Sequence, residues 1–210
     1  MTSRTSVLLI ACGALAREIV ALKRLGGWDH VTVRCLPAEL HLRPDEIPKA
    51  VGKLLEDTHS EFDEILVAYA DCGTRGQLDA VLAEYGARRL PGAHCYEVFA
   101  GAESFASLQD AEPGTFYLTD FLARHFDRLV IRGLGIDRHP ELQAIYFGNY
   151  RRVVHLAQSR SQEFTLRARA CADRLGLEFE QRFTGMERLE QALGVDPPSE
   201  ATSDEASCTS

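Results

Sequence analysis

Six cysteines stand at positions 12, 35, 72, 95, 171 and 208 of a 210-residue chain, and their surroundings divide them into two groups. Cys12 ends the apolar run Val7-Leu8-Leu9-Ile10-Ala11. Cys72 follows Val67-Ala68-Tyr69-Ala70-Asp71, and Cys95 follows Arg89-Leu90-Pro91 and His94. Each of these three stands where a strand gives way to a turn or a helix. Cys35 lies inside a strand pattern and Cys171 inside a helical one, so both read as core residues, as buried free cysteines commonly are. Cys208 lies in a polar tail. Three thiolates brought together suit zinc with an open fourth position, or an iron–sulfur cluster with one iron free.

Cys12, Cys72 and Cys95 are therefore the candidate metal ligands, and His94 is the candidate fourth ligand or neighbour. His41, Asp71 and Glu97 are further candidates for that place. Asp71, Asp120 and Glu97 are the acid/base candidates, although an aspartate at a strand end also serves as the N-cap of the next helix. Gly13, Gly73 and Thr74 would let backbone approach a bound cofactor closely. No CxxC pair is present, so the local spacing typical of zinc sites is missing. The alternative is a metal-free polar pocket. The stretch Cys12-Gly-Ala-Leu-Ala-Arg17 has four residues between Cys and Arg, one short of a cysteine-phosphatase loop. Gly133-Leu-Gly135 has no helix opening after it and reads as a loop.

These residues need a scaffold, and the hydrophobic pattern supplies one. Continuous apolar runs over 7–11 and 64–70 suit strands buried on both faces. Shorter strand patterns cover 31–36, 88–91, 115–118, 153–157 and 177–183. Helical stripes lie between them, over about 15–25, 45–55, 78–85, 94–100, 121–126, 142–149 and 164–175. Strand and helix in alternation predict an α/β fold: a single doubly wound, mostly parallel sheet with helices on both faces. Such sheets place ligands beyond the carboxyl ends of their strands, where the three cysteines fall. Residues 1–194 read as a single α/β domain, and residues 195–210 as a disordered acidic tail.

Composition narrows the function. Lys+Arg 23 against Asp+Glu 31 gives a net charge of −8, without the basic footprint of a nucleic-acid binder. Four of the acids (Asp196, Glu200, Asp204, Glu205) lie in the last fifteen residues. The apolar run before Cys12 is shorter than the roughly 7–15 residues of a signal core, and nothing approaches the roughly 18 of a membrane span. A cytoplasmic protein without nucleic-acid or membrane partners is the expectation.

Several segments carry a family resemblance: Leu9-Ile-Ala-Cys-Gly-Ala-Leu15, Tyr69-Ala-Asp-Cys-Gly-Thr74, His94-Cys-Tyr-Glu97, Phe116-Tyr-Leu-Thr-Asp-Phe121, and the region 133–152 with Tyr146-Phe-Gly-Asn-Tyr150. In these the chain resembles the domain of unknown function 1638 family of methanogenic archaea and bacteria, across about residues 6–193. The resemblance implies no reaction. It does imply an association with corrinoid-dependent methyltransferase systems, hence a methyltransferase-system protein as partner. Thiolate-bound zinc activates thiols for methyl transfer, so methyl or sulfur transfer on a small molecule is the transferase chemistry expected. The alternative is a metal-free small-molecule-binding or accessory protein, in which the aromatic run 146–150 would meet a partner.

Overall fold

The structure is a computed structural model that describes residues 5–195; Cys208 and the acidic tail lie outside the described residues. The chain opens with β1 (Val7–Cys12), every residue of which is buried, as its unbroken apolar run requires. Gly13 turns the chain into a short 3-10 segment and then α1 (Ala16–Leu25). A side chain at Gly13 would sit 2.9 Å from the Leu36 carbonyl oxygen, so close packing between neighbouring strand ends demands glycine there. Next come β2 (Val31–Leu36), α2 (Glu46–Thr58), β3 (Glu64–Ala68), α3 (Gln77–Glu84) and β4, which is only Arg88–Arg89. These four strands form one parallel sheet in the order β2-β1-β3-β4.

Helices α4 (Cys95–Ala100) and α5 (Ala102–Ala111) then lead to β5 (Thr115–Thr119) and α6 (Asp120–Phe126). A π-helical turn follows over Asp127–Arg132, then α7 (Leu142–Phe147), β6 (Arg152–Ala157), α8 (Gln162–Leu175), β7 (Glu178–Phe183) and α9 (Glu187–Leu193). Strands β5, β6 and β7 form a second parallel sheet in that order. The α/β class expected from the alternation is what the structure shows. The single continuous sheet is corrected to two. With two residues, β4 is too short to carry the ladder onward, and the next strand pairs with β6 instead.

Each sheet has its own core. Leu8, Leu9, Ile10, Leu66 and Val67 are wholly buried in the first, with Trp28 and Ile47 against them. Leu118, Val153, Ala168 and Ala172 anchor the second. A third cluster of Ala100, Phe105, Tyr117, Val154 and Leu156 joins α4 and α5 to the second sheet. Cys171 is buried as expected, whereas Cys35 is exposed. Its strand, β2, is an edge strand with one side open to solvent, which corrects the core reading of that residue. Among the described residues no helix is long and apolar enough to cross a membrane.

Candidate functional site

The carboxyl ends of β1 and β3, which are neighbours in the first sheet, put Cys12 and Cys72 side by side in the fold. The first residue of α4, which follows the loop after β4, adds Cys95. Two backbone hydrogen bonds tie these turns together: the Asp71 N–H donates to the Gly92 carbonyl (3.1 Å) and the Cys72 N–H to that of Ala93 (2.9 Å). The result is a Cys72 Sγ to Cys95 Sγ separation of 3.8 Å. Cys72 itself adopts a left-handed backbone (φ +49°), uncommon for a residue with a side chain. The carboxylate of Asp71 holds that turn, accepting from the N–H groups of Gly73, Arg75 and Gly76 and from Thr74 Oγ1. These bonds, chiefly that from Gly76, hold the Asp71 carboxyl below the usual range.

Cys12 meets a different partner. Its sulfur accepts from the Ala14 N–H (3.3 Å) and lies 3.7 Å from His41 Nδ1. The same Nδ1 is 3.1 Å from the Ala38 carbonyl oxygen, which can only accept. We therefore assign the ring proton to Nδ1, where it donates to Ala38, and the Ala14 N–H is the backbone donor to the Cys12 sulfur. That bond favours a thiolate, but burial opposes it and prevails. Burial pushes the Cys12 thiol up to about 12. Burial likewise lowers the His41 pKa, leaving that ring neutral. Tyr69 stacks on His41 with ring centroids 5.9 Å apart. Its buried hydroxyl lies near Cys12 but makes no well-aligned hydrogen bond.

All three cysteines line one cavity of about 360 Å³ between the two sheets, together with His41 and His94. This lies within the roughly 300–1,000 Å³ of small-molecule sites. The first half of the chain contributes the thiols, Ala14, Ala38, Tyr96 and Phe99. The second half contributes an apolar wall of Phe116, Phe121, Leu122 and Phe147, extended by Leu129 and Val130 from the π-helical turn. Turns of that kind often mark functional sites. Among the described residues no Asp, Glu, Lys or Arg lines the cavity.

The structure thus brings Cys12, Cys72, Cys95 and His94 to one cavity, with His94 exposed at its margin. They do not form a closed ligand set: among the described residues no three His, Cys, Asp or Glu side chains converge as a metal ion requires. The other candidates stand outside the lining. Glu97 accepts from the Ala93 N–H (2.9 Å), and Thr74 is buried against Asp71. Gly73 (φ +85°) completes the Asp71 turn. Asp120 points away from the cavity into the second sheet. It accepts from His155 Nε2 (2.8 Å) and from the Ser159 N–H and hydroxyl (3.0 and 2.6 Å), all largely buried. The wall of the second half escaped the reading of strand ends because its contribution comes from packing between sheets; Tyr69 escaped it because its role is to stack on His41 within the core of the first sheet. Of the aromatic run 146–150, Phe147 reaches the cavity, whereas Tyr146 is exposed.

Three buried thiols have raised pKa values and tie stability to alkaline pH: Cys72, and Cys12 and Cys171, these last two each pushed up to about 12, chiefly by burial. Above pH 9 the unfolded chain releases these protons while the folded state keeps them. Stability is full below about pH 9 and falls as pH rises towards 12, by up to about 4 kcal/mol for each of Cys12 and Cys171. Urea unfolding at pH 8, 10 and 11 should show this decline, flattened in a Cys12→Ala, Cys171→Ala variant. Equal slopes for both proteins would contradict it.

The arrangement defines a parallel α/β protein with a thiol-walled cavity between two sheets. The chain belongs to the DUF1638 family, described as a protein of unknown function, which it matches over residues 35–193. The matched region contains Cys72 and Cys95; Cys12 precedes it. No curated protein matches the chain.

Proposed function

We propose that this protein binds a small, uncharged, largely apolar molecule in the cavity between its sheets and presents the thiols of Cys12, Cys72 and Cys95 to it. The observation that carries this reading is the lining: three sulfurs on one side, an aromatic and aliphatic wall on the other, and among the described residues no Asp, Glu, Lys or Arg. A phosphate or carboxylate enclosed there would lose its hydration without a counter-charge, at a cost of several kcal/mol. An uncharged ring would keep the Phe116 and Phe121 side in contact while a polar or sulfur-reactive end faced the cysteines. The test uses methyl-labelled protein and toluene as probe. Saturable shifts of Leu122, Leu129 and Val130 methyls are expected, and their absence sinks the reading.

A second reading places a soft metal, zinc or an iron–sulfur cluster, on Cys12, Cys72 and Cys95. The 3.8 Å between the Cys72 and Cys95 sulfurs favours it. Two thiolates bound to one tetrahedral zinc at about 2.3 Å stand about 3.8 Å apart. Cys12 and a fourth ligand such as His94 would have to move to complete the set. Methyl or sulfur transfer alongside a methyltransferase-system protein belongs to this second reading, because a metal-held thiolate is the nucleophile it needs. Metal analysis of protein purified with and without air, wild type against Cys72→Ser, decides it. Stoichiometric metal lost in the variant supports this reading, and no metal in either preparation removes it.

A further inference from the structure

Cys72 and Cys95 stand apart from the other described cysteines because each has a second sulfur beside it. Their sulfurs are in contact at 3.8 Å. Closing to a disulfide bond of about 2.05 Å requires only about 1.8 Å of relative movement. The two turns that carry them are already joined by the Asp71 to Gly92 and Cys72 to Ala93 backbone bonds, so the pair is held together without the bond. Cys72 sits at an unfavourable backbone angle inside a turn fixed by Asp71, which leaves it local room to move only by releasing that conformation. Cys95 is partly exposed at the cavity margin, whereas Cys72 is buried behind it. The two sulfurs share a hydrogen bond that either thiol can donate. The pair is asymmetric at the level of the residues, Cys95 being half-buried and Cys72 buried.

We propose that Cys72 and Cys95 are a reversible dithiol–disulfide couple that exchanges with low-molecular-weight disulfides, Cys95 attacking and Cys72 resolving. The Cys95 thiolate forms a bond to one sulfur of the small disulfide and expels the other as a thiolate. The Cys72 sulfur, giving up its proton, then attacks Cys95 and releases the second small thiolate. The protein dithiol is oxidised by two electrons, and the small disulfide is reduced to two thiols that take up the two protons. The proposal stands apart from what the cavity binds, since it needs only the pair and its approach from solvent.

The test uses the full chain with Cys35→Ser and Cys208→Ser, which removes the exposed strand thiol and the tail thiol. The protein is equilibrated with mixtures of reduced and oxidised glutathione, quenched in acid, capped with N-ethylmaleimide and mapped by peptide mass spectrometry. A Cys72–Cys95 disulfide is expected, with both thiols lost in one transition and restored by dithiothreitol while Cys12 stays free. With Cys72→Ser added, one glutathione should remain on Cys95. With Cys95→Ser instead, glutathione should reach Cys72 at least about tenfold more slowly, as burial of the attacking sulfur requires. Three results would overturn the proposal. They are stable glutathione on both sulfurs of the parent, a disulfide mapping to Cys12, or stoichiometric zinc or iron that shields both thiols until it is chelated.

Discussion

Asp120→Ala is expected to destabilise the protein by about 3–5 kcal/mol, the range for breaking a buried, hydrogen-bonded charged network. The carboxylate accepts from His155 Nε2, the Ser159 N–H and the Ser159 hydroxyl. Its own N–H donates to Gln158 Oε1 (2.8 Å), so this corner of β5 and β6 is closed by side chains rather than by the ladder. His155 is wholly buried and its Nδ1 has no partner, which leaves Asp120 as the imidazole's one anchor among the described residues. Alanine would strand three donors in a low-dielectric interior, each costing about 1–3 kcal/mol. Asp120→Asn keeps an acceptor oxygen and should lose less. Urea denaturation measures both, and a loss under about 1 kcal/mol for alanine would contradict the network. Because Asp120 does not line the cavity, Asp120→Asn should bind toluene as the wild type does. Weaker binding by a folded Asp120→Asn protein would return that residue to the site.

Leu122→Trp is expected to weaken toluene binding by at least about tenfold, a loss of roughly 1.4 kcal/mol or more. Leu122 lies in the first turn of α6, where its N–H is capped by Thr119 Oγ1 (3.2 Å), and its side chain forms part of the apolar wall. An indole at that position grows into open space instead of into packed core, so its stability should stay within about 1–3 kcal/mol of wild type. Isotope-edited NMR gives both quantities on one sample. Undiminished binding would place the probe elsewhere on the molecule.

The sequence reading and the structure part company at identifiable places. The buried strands β1 and β3 were legible because a strand covered on both faces must be apolar throughout. Cys12, Cys72 and Cys95 were legible as a group because parallel strands carry their carboxyl ends to the same edge, and the cavity gathers all three. The break between the sheets was not legible. The pattern Arg88-Arg89-Leu90-Pro91 suggests a short strand, and whether β5 pairs with it depends on how α4 and α5 pack. Cys35 looked like a core residue because its strand is apolar in part, but sequence does not say which strand lies at an edge. The π-helical turn over Asp127–Arg132 left no periodic signal either, since one extra residue in a turn only blurs a helical stripe. Asp71 follows β3 as expected, whereas Glu97 lies in the first turn of α4, well beyond β4. Their side chains nevertheless turn to the backbone of their own loops, a choice settled by local hydrogen bonding.

If, as proposed, an uncharged apolar molecule reaches the thiols through the cavity between the sheets, the charge of a reagent should decide how fast Cys95 is labelled. Labelling rates at Cys95 with N-phenylmaleimide, an uncharged ring, and with iodoacetate, an anion, are each divided by the rate at exposed Cys35. The phenylmaleimide ratio should exceed the iodoacetate ratio by about tenfold or more, as exclusion of charge from an apolar site requires, and Leu122→Trp should remove most of this preference. Equal ratios for the two reagents, or a preference untouched by Leu122→Trp, would contradict it.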